Sequence, residues 1–131
     1  MRFLIADDDR LNRTVLVQYM KNYGEVVEAK DGMEVLELVM NSIETGNPYR
    51  ALFLDIIMPR MDGIKVLKVV RSLEEKQGVA EEEHLPVIVM SALSDVEHVD
   101  QAFALGCDAY AAKPLELEKV EEVLCGLGIL A

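Results

Sequence analysis

Cysteine is scarce in this chain: Cys107 and Cys125 are its only two, with 17 residues between them and outside any CxxC or Cys/His pattern. That spacing argues against a metal or redox centre and leaves two free thiols suited to a reducing compartment. Positive charge is also in short supply. Thirteen Lys and Arg stand against 24 Asp and Glu, a formal net charge of -11 that opposes nucleic acid and acidic membrane surfaces. No apolar run approaches the roughly 20 residues needed to cross a bilayer, and no charged start leads into a short apolar core. We therefore expect a cytoplasmic protein with no direct nucleic-acid or membrane partner. Repeats, low-complexity tracts and linkers are missing too, so residues 1–131 read as a single domain with one hydrophobic core and no effector domain.

What is present is an alternation. "RFLIA" (2–6), "EVVEA" (25–29), "ALFL" (51–54), "PVIVM" (86–90) and "AYAA" (109–112) are short apolar or β-branched runs that read as strands. Between them lie segments with helical spacing. The first carries Leu11, Val15, Leu16 and Tyr19; the second Met33, Leu36, Val39, Met40 and Ile43. The third carries Ile64, Leu67, Val70 and Leu73, and the fourth Val96, Val99, Phe103 and Leu105. A fifth, with Leu117, Val120, Val123, Leu124 and Leu127, closes the chain. Asp31 with Glu34 and Ser94 with Glu97 match capping boxes, Asp9 and Asp62 suit helix N-caps, and Gly24 and Gly106 follow helical stretches. "EEKQGVAEEEH" (74–84) reads as a solvated loop. Five alternations of strand and helix call for an α/β fold: a doubly wound, five-stranded parallel sheet with helices on both faces.

In such a sheet, ligands bind beyond the carboxyl ends of the strands. Asp7, Asp8 and Asp9 follow the first strand, Asp55 the third, Ser91 the fourth and Lys113 the fifth. Two carboxylates about 4 Å apart repel by roughly 4 kcal/mol at an effective dielectric near 20, so clustered acids must take up protons or a cation. Hard oxygen ligands with open positions suit Mg²⁺. Converging on one edge, these residues form a phosphoryl site: the acids hold Mg²⁺, Asp55 attacks phosphorus, and Ser91 and Lys113 stabilise the transferred oxygens. A flavin site is disfavoured, because "DDDRLNR" has no phosphate-cradling glycines.

The motifs "FLIADDD" (3–9), "LFLDIIMPRMDG" (52–63), "PVIVMSA" (86–92) and "AYAAKPL" (109–115) occur in an order and spacing that resemble the receiver domains of two-component response regulators, of the chemotaxis-regulator type. The resemblance implies a flavodoxin-like strand order 2-1-3-4-5 with five helices. It implies Asp55 as phosphoacceptor, Asp7 and Asp8 with the Ile57 main-chain carbonyl as Mg²⁺ ligands, and Ser91 and Lys113 as the hydroxyl and lysine of the site. Tyr110 matches an aromatic switch residue whose ring follows the Ser91 hydroxyl, and Lys113-Pro114 is similar to the family's cis peptide. The implied function is a phosphorylation-dependent signalling switch that catalyses its own phosphorylation and slow dephosphorylation. The implied partners are a sensor histidine kinase or histidine phosphotransfer protein, meeting the Leu11 and Val15 face of the first helix, and a downstream protein target.

Two departures qualify the resemblance. Ile57 and Leu93 occupy positions that often carry polar residues in the family, so neither side chain can orient a water, and a long-lived phosphoaspartate is expected. Ile57 also stands where haloacid-dehalogenase-like phosphatases carry a second Asp. Asp95, Glu97 and Asp100 make the fourth helix acidic, and Lys119 is the fifth helix's only base, so a charge-paired dimer face is missing and a monomer is expected.

Overall fold

The computed structural model describes residues 1–92 and 96–130. The elements run β1 (Arg2–Ala6), α1 (Arg10–Met20), β2 (Glu25–Ala29), α2 (Gly32–Thr45), β3 (Ala51–Asp55), α3 (Gly63–Lys76), a short 3-10 turn (Glu81–Glu83), β4 (Val87–Ala92), α4 (Val96–Ala104), β5 (Ala109–Lys113) and α5 (Leu117–Gly126). All strand pairs are parallel and the order is β2-β1-β3-β4-β5. The doubly wound parallel sheet is the one expected of the alternation, and its flavodoxin-like strand order is the one the resemblance implies.

Side chains alternate across the sheet, as strand geometry requires. Phe3, Ile5, Phe53, Ile88 and Met90 pack with Leu16, Val17 and Met20 of α1 and with Val120 and Leu124 of α5. Leu4, Leu52, Leu54, Val87 and Val89 pack on the other face with Val35 and Val39 of α2, Val66, Leu67 and Val70 of α3, and Ala102 of α4. Burial of β1, β3 and β4 on both faces is why their sequences are continuous apolar runs rather than alternating ones.

Several boundaries differ from those read in the sequence. β3 extends through Asp55, β4 through Ala92 and β5 through Lys113, so Asp55, Ser91 and Lys113 are ladder residues and do not sit on loops beyond it. In α1 the apolar residues are nearly consecutive and do not fix the helical phase. The sheet takes Leu16, Val17 and Met20, and leaves Leu11 73% and Val15 46% exposed. In α4, Phe103 points outward while Ala102 is buried. The stretch 74–84 is not wholly a solvated loop. α3 continues to Lys76, and Glu74 is buried because Arg71 pairs with it and the Leu85 N–H donates to it.

The caps hold as expected. Asp9 accepts from the N–H groups of Leu11 and Asn12, Asp31 from Glu34, and Asp62 from Lys65. The Ser94 capping reading, like those on Leu93 and Asp95, lies outside the described residues. Gly106 has a left-handed φ of 97°, which only glycine adopts without strain. At the C-terminus, Ile129 is buried against the α1/α5 core. Among the described residues, no helix is long and apolar enough to cross a membrane.

Candidate functional site

The carboxyl ends of β1, β3 and β5 bring four charged groups together. Asp7 directly follows β1, and its loop is fixed by three bonds. The Asp9 N–H donates to Asp7 Oδ1 at 2.8 Å, the Asp7 N–H donates to the Ala29 carbonyl at 3.3 Å, and Arg13 Nη1 donates to the Asp7 carbonyl at 2.6 Å. Arg13 is itself anchored on Glu28 at 3.0 Å. Asp55 ends β3 opposite Met90 in the β4 ladder and accepts the Ile57 N–H on Oδ1 at 3.1 Å. Lys113 ends β5 and spans the two acids, with Nζ 2.9 Å from Asp55 Oδ2 and 3.1 Å from Asp7 Oδ2.

Burial makes this arrangement chemically tense. Asp7 and Asp55 are only 1% and 5% exposed, so neither carboxylate is well hydrated. Two buried carboxylates share one ammonium, and the excess negative charge favours uptake of a proton. Burial, reinforced by the Asp7 charge and opposed by Lys113, pushes the Asp55 pKa up to about 7. Burial also works against the Lys113 charge, but the two carboxylates outweigh it and hold the lysine above its usual value.

The same tension suits a divalent cation. Carboxylate oxygens of Asp7, Asp8 and Asp55 lie within 4.8 Å of one another, with Asp8 exposed at the mouth. Asp7 Oδ2 is buried and, among the described residues, accepts no hydrogen bond, Lys113 being its close charged neighbour. An all-oxygen acidic set with an open lone pair and a solvent-facing side fits Mg²⁺.

Ser91 and Tyr110 are placed by the ladder between β4 and β5. Ser91 is 2% exposed, adjoins the Met90 that pairs with Asp55, and faces Ala112; its hydroxyl donates to the Ala92 carbonyl at 3.3 Å. The half-buried Tyr110 places its hydroxyl 3.5 Å from the Ser91 carbonyl oxygen. The Ile57 side chain stands 59% exposed, two residues after Asp55. Lys113-Pro114 is cis, as the resemblance implied.

The loop that follows Asp55 is shaped by close packing. A Cβ at Gly63 would fall 2.4 Å from the Asp55 carbonyl oxygen, so α3 starts against the site only because that residue is glycine. Arg60 has a φ of 68° and its guanidinium binds buried Asp31 at 3.0 Å, tying this loop to the start of α2. Neither the Arg13 brace nor the Arg60–Asp31 pair was read from the sequence. Each joins residues remote in the chain and lies outside any periodic apolar pattern.

Comparison with known proteins agrees with this geometry. The family model described as the response regulator receiver domain matches residues 3–124. "Response regulator MprA" of Mycobacterium sp. (strain KMS) is 35% identical over 121 residues, covering 92% of this chain and 47% of that protein. "Probable histidine kinase 2" of Oryza sativa subsp. indica is 27% identical across 97% of this chain, which spans only 13% of the kinase. The chain thus covers less than half the length of these relatives. Among solved structures, the receiver domain of the Francisella response regulator 1452 superposes with a TM-score of 0.74 at 28% identity, covering 95% of this chain and 93% of that one.

Proposed function

The chain belongs to the response regulator receiver domain family, the switch module of two-component and phosphorelay signalling, and on that premise we propose that Asp55 is its phosphoacceptor. The observation that carries this reading is the Lys113 ammonium held between Asp55 at 2.9 Å and Asp7 at 3.1 Å, over an all-oxygen acidic cluster.

Asp7, Asp8, Asp55 and the Ile57 main-chain carbonyl are the residues that would hold Mg²⁺. Bound there, the ion would neutralise charge on the phosphoryl oxygens and keep Asp55 ionised. The Asp55 carboxylate oxygen attacks phosphorus of a phosphohistidine donor; the P–O bond forms as the P–N bond breaks, and the imidazole leaves with a proton from solvent. Lys113 meets the transferred group's negative charge from β5, and Ser91 donates to one of its oxygens from β4. The Ile57 N–H holds the acceptor's other oxygen in place. Once the Ser91 hydroxyl has moved to the phosphoryl group, Tyr110 turns inward beside it and alters the surface offered to a target.

The donor is a sensor histidine kinase or a histidine phosphotransfer protein. The protein acts on itself alone, catalysing its own phosphorylation and a slow loss of the group, and works as a monomeric receiver unit over residues 1–131 in the cytoplasm. Exposed apolar Leu11, Val15 and Ile57 support a protein-docking face near the acceptor.

Intact-mass spectrometry after incubation with acetyl phosphate and Mg²⁺ tests the reading. One added phosphoryl group is expected, lost in Asp55→Ala and in the presence of EDTA. No adduct on a folded, Mg²⁺-binding protein, with acetyl phosphate or with a phosphorylated histidine phosphotransfer protein, would leave a scaffold rather than a switch.

A further inference from the structure

At the opposite end of the sheet from Asp55, Arg71 of α3 uses every donor of its guanidinium. Nε and Nη2 donate to the Gly106 carbonyl at 3.1 and 2.7 Å, and Nη2 also reaches Asp108 Oδ2 at 3.0 Å. Nη1 donates to Glu74 Oε1 at 2.7 Å and to the Leu85 carbonyl at 2.8 Å. Five N–H groups thus meet five acceptor contacts, with the arginine only 17% exposed. Three segments are pinned to one planar fork: the end of α3, the entry to β4 and the entry to β5.

Asp108 completes the arrangement. Its N–H donates to the Val87 carbonyl at 2.8 Å, and its Oδ2 accepts the Val87 N–H at 2.8 Å. This clasp lies one residue before the first ladder pair, Ile88↔Ala109, and so determines where the β4/β5 register begins.

Register needs that help here. β5 is an edge strand held by β4 alone. Its sequence "AYAAK" has one buried position, Ala111, and small side chains that specify register weakly. Lys113, the last residue of this strand, nevertheless has to meet carboxylates from β1 and β3 at about 3 Å. It lies five positions beyond Asp108, about 16 Å along the strand.

We infer that Arg71 and Asp108 are remote positioning residues that set the β5 register and thereby place the Lys113 ammonium on Asp55. The inference rests on the proposed phosphoryl chemistry for its kinetic consequence, not for its structural one. Asp108 is 40% exposed at its side chain, so truncation opens no cavity.

The experiment compares the unsubstituted chain with Asp108→Ala and Asp108→Asn in two measurements. The first is the rate of phosphoryl uptake from acetyl phosphate at saturating Mg²⁺. The second is amide hydrogen exchange at Tyr110 and Ala112, whose N–H groups point towards β4 in alternation with Asp108. Asp108→Ala is expected to slow uptake about tenfold, since small misplacements of a reacting group cost up to about a hundredfold, and to speed exchange at both amides. Asp108→Asn keeps an oxygen for the Val87 N–H while losing the ion pair, and is expected to restore both readouts. A role confined to stability would leave the folded variants at the parent rate. Equal uptake and unchanged exchange in Asp108→Ala would overturn the inference. If Asp108→Ala does not fold, Arg71→Lys, with three donors for the five acceptor contacts, carries the same test. No uptake by the unsubstituted chain would overturn the reading of the site instead, and the exchange comparison would still decide the register claim.

Discussion

Lys113 and Asp55 meet at 2.9 Å although their strands are not neighbours: β4 lies between β3 and β5. The lysine reaches over the end of β4, and its length lets an edge strand deliver charge to the central Asp55. Lys113→Ala removes that charge from the developing phosphoryl group and is expected to slow uptake from acetyl phosphate about a hundredfold. Mg²⁺ affinity, measured by calorimetry, is expected to rise, because a cation that repels the ion is gone. Unchanged uptake would count against the role given to Lys113.

A pH dependence follows from the crowded carboxylates. Burial pushes the Asp55 carboxyl from its ordinary value of 3.8 up to about 7 in the folded protein. The folded state therefore binds a proton that the unfolded chain has released, and stability from this group is greatest below the unfolded value. It is lost as pH rises towards and through 7. Lys113, held above its usual value, stays charged throughout that window. Without metal, urea unfolding is expected to show the protein less stable at pH 8 than at pH 5 by about 2 kcal/mol. Asp55→Asn is expected to flatten this difference, and Mg²⁺ to offset it at pH 8. A parent protein whose stability rises between pH 5 and 8 would contradict the account.

The legibility of this protein in its sequence was uneven for physical reasons. Five apolar runs separated by periodic segments fixed the alternation, because β1, β3 and β4 are buried on both faces and admit little else. Asp7, Asp8, Asp55 and Lys113 could be picked out because charge at the end of an apolar strand is costly unless it is used. The phase of α1 could not be read, since consecutive apolar residues at Val15, Leu16 and Val17 satisfy several helical faces. Glu74 looked like part of a solvated charge run. Its burial depends on Arg71 three residues earlier and on the Leu85 N–H eleven residues later, a pairing that exists only after the chain has folded.

Gly63 offers a direct test of how tightly α3 is set against Asp55. An added Cβ would approach the Asp55 carbonyl oxygen to 2.4 Å and the Ile56 Cα to 2.7 Å, both main-chain atoms with little room to yield. Gly63→Ala would favour a helix start on propensity alone, yet is expected to destabilise the fold by about 1 to 3 kcal/mol through overpacking. Phosphoryl uptake is expected to fall with it, because the displaced main-chain atoms carry the Asp55 carboxylate. A more stable variant, measured by urea unfolding, would show that the loop gives way without cost.

Under the proposed chemistry, Ile57 bears on how long a phosphoryl group on Asp55 would last. Loss of phosphate from an acyl phosphate requires a water aligned opposite the Asp55 oxygen, and a neighbouring amide or carboxylate can hold it. Ile57 lies two residues after Asp55, and its 59% exposed side chain has no group that bonds a water. Its main chain already serves Asp55 through the N–H, so the side chain can be changed without disturbing that bond. Ile57→Asn is expected to shorten the lifetime of the phosphorylated protein at least tenfold, within the range general acid–base groups supply, while uptake stays within a factor of about two. Release of inorganic phosphate after removal of the donor measures this. If Ile57→Asn loses phosphate no faster than the parent, then water access, and not its orientation, sets the lifetime.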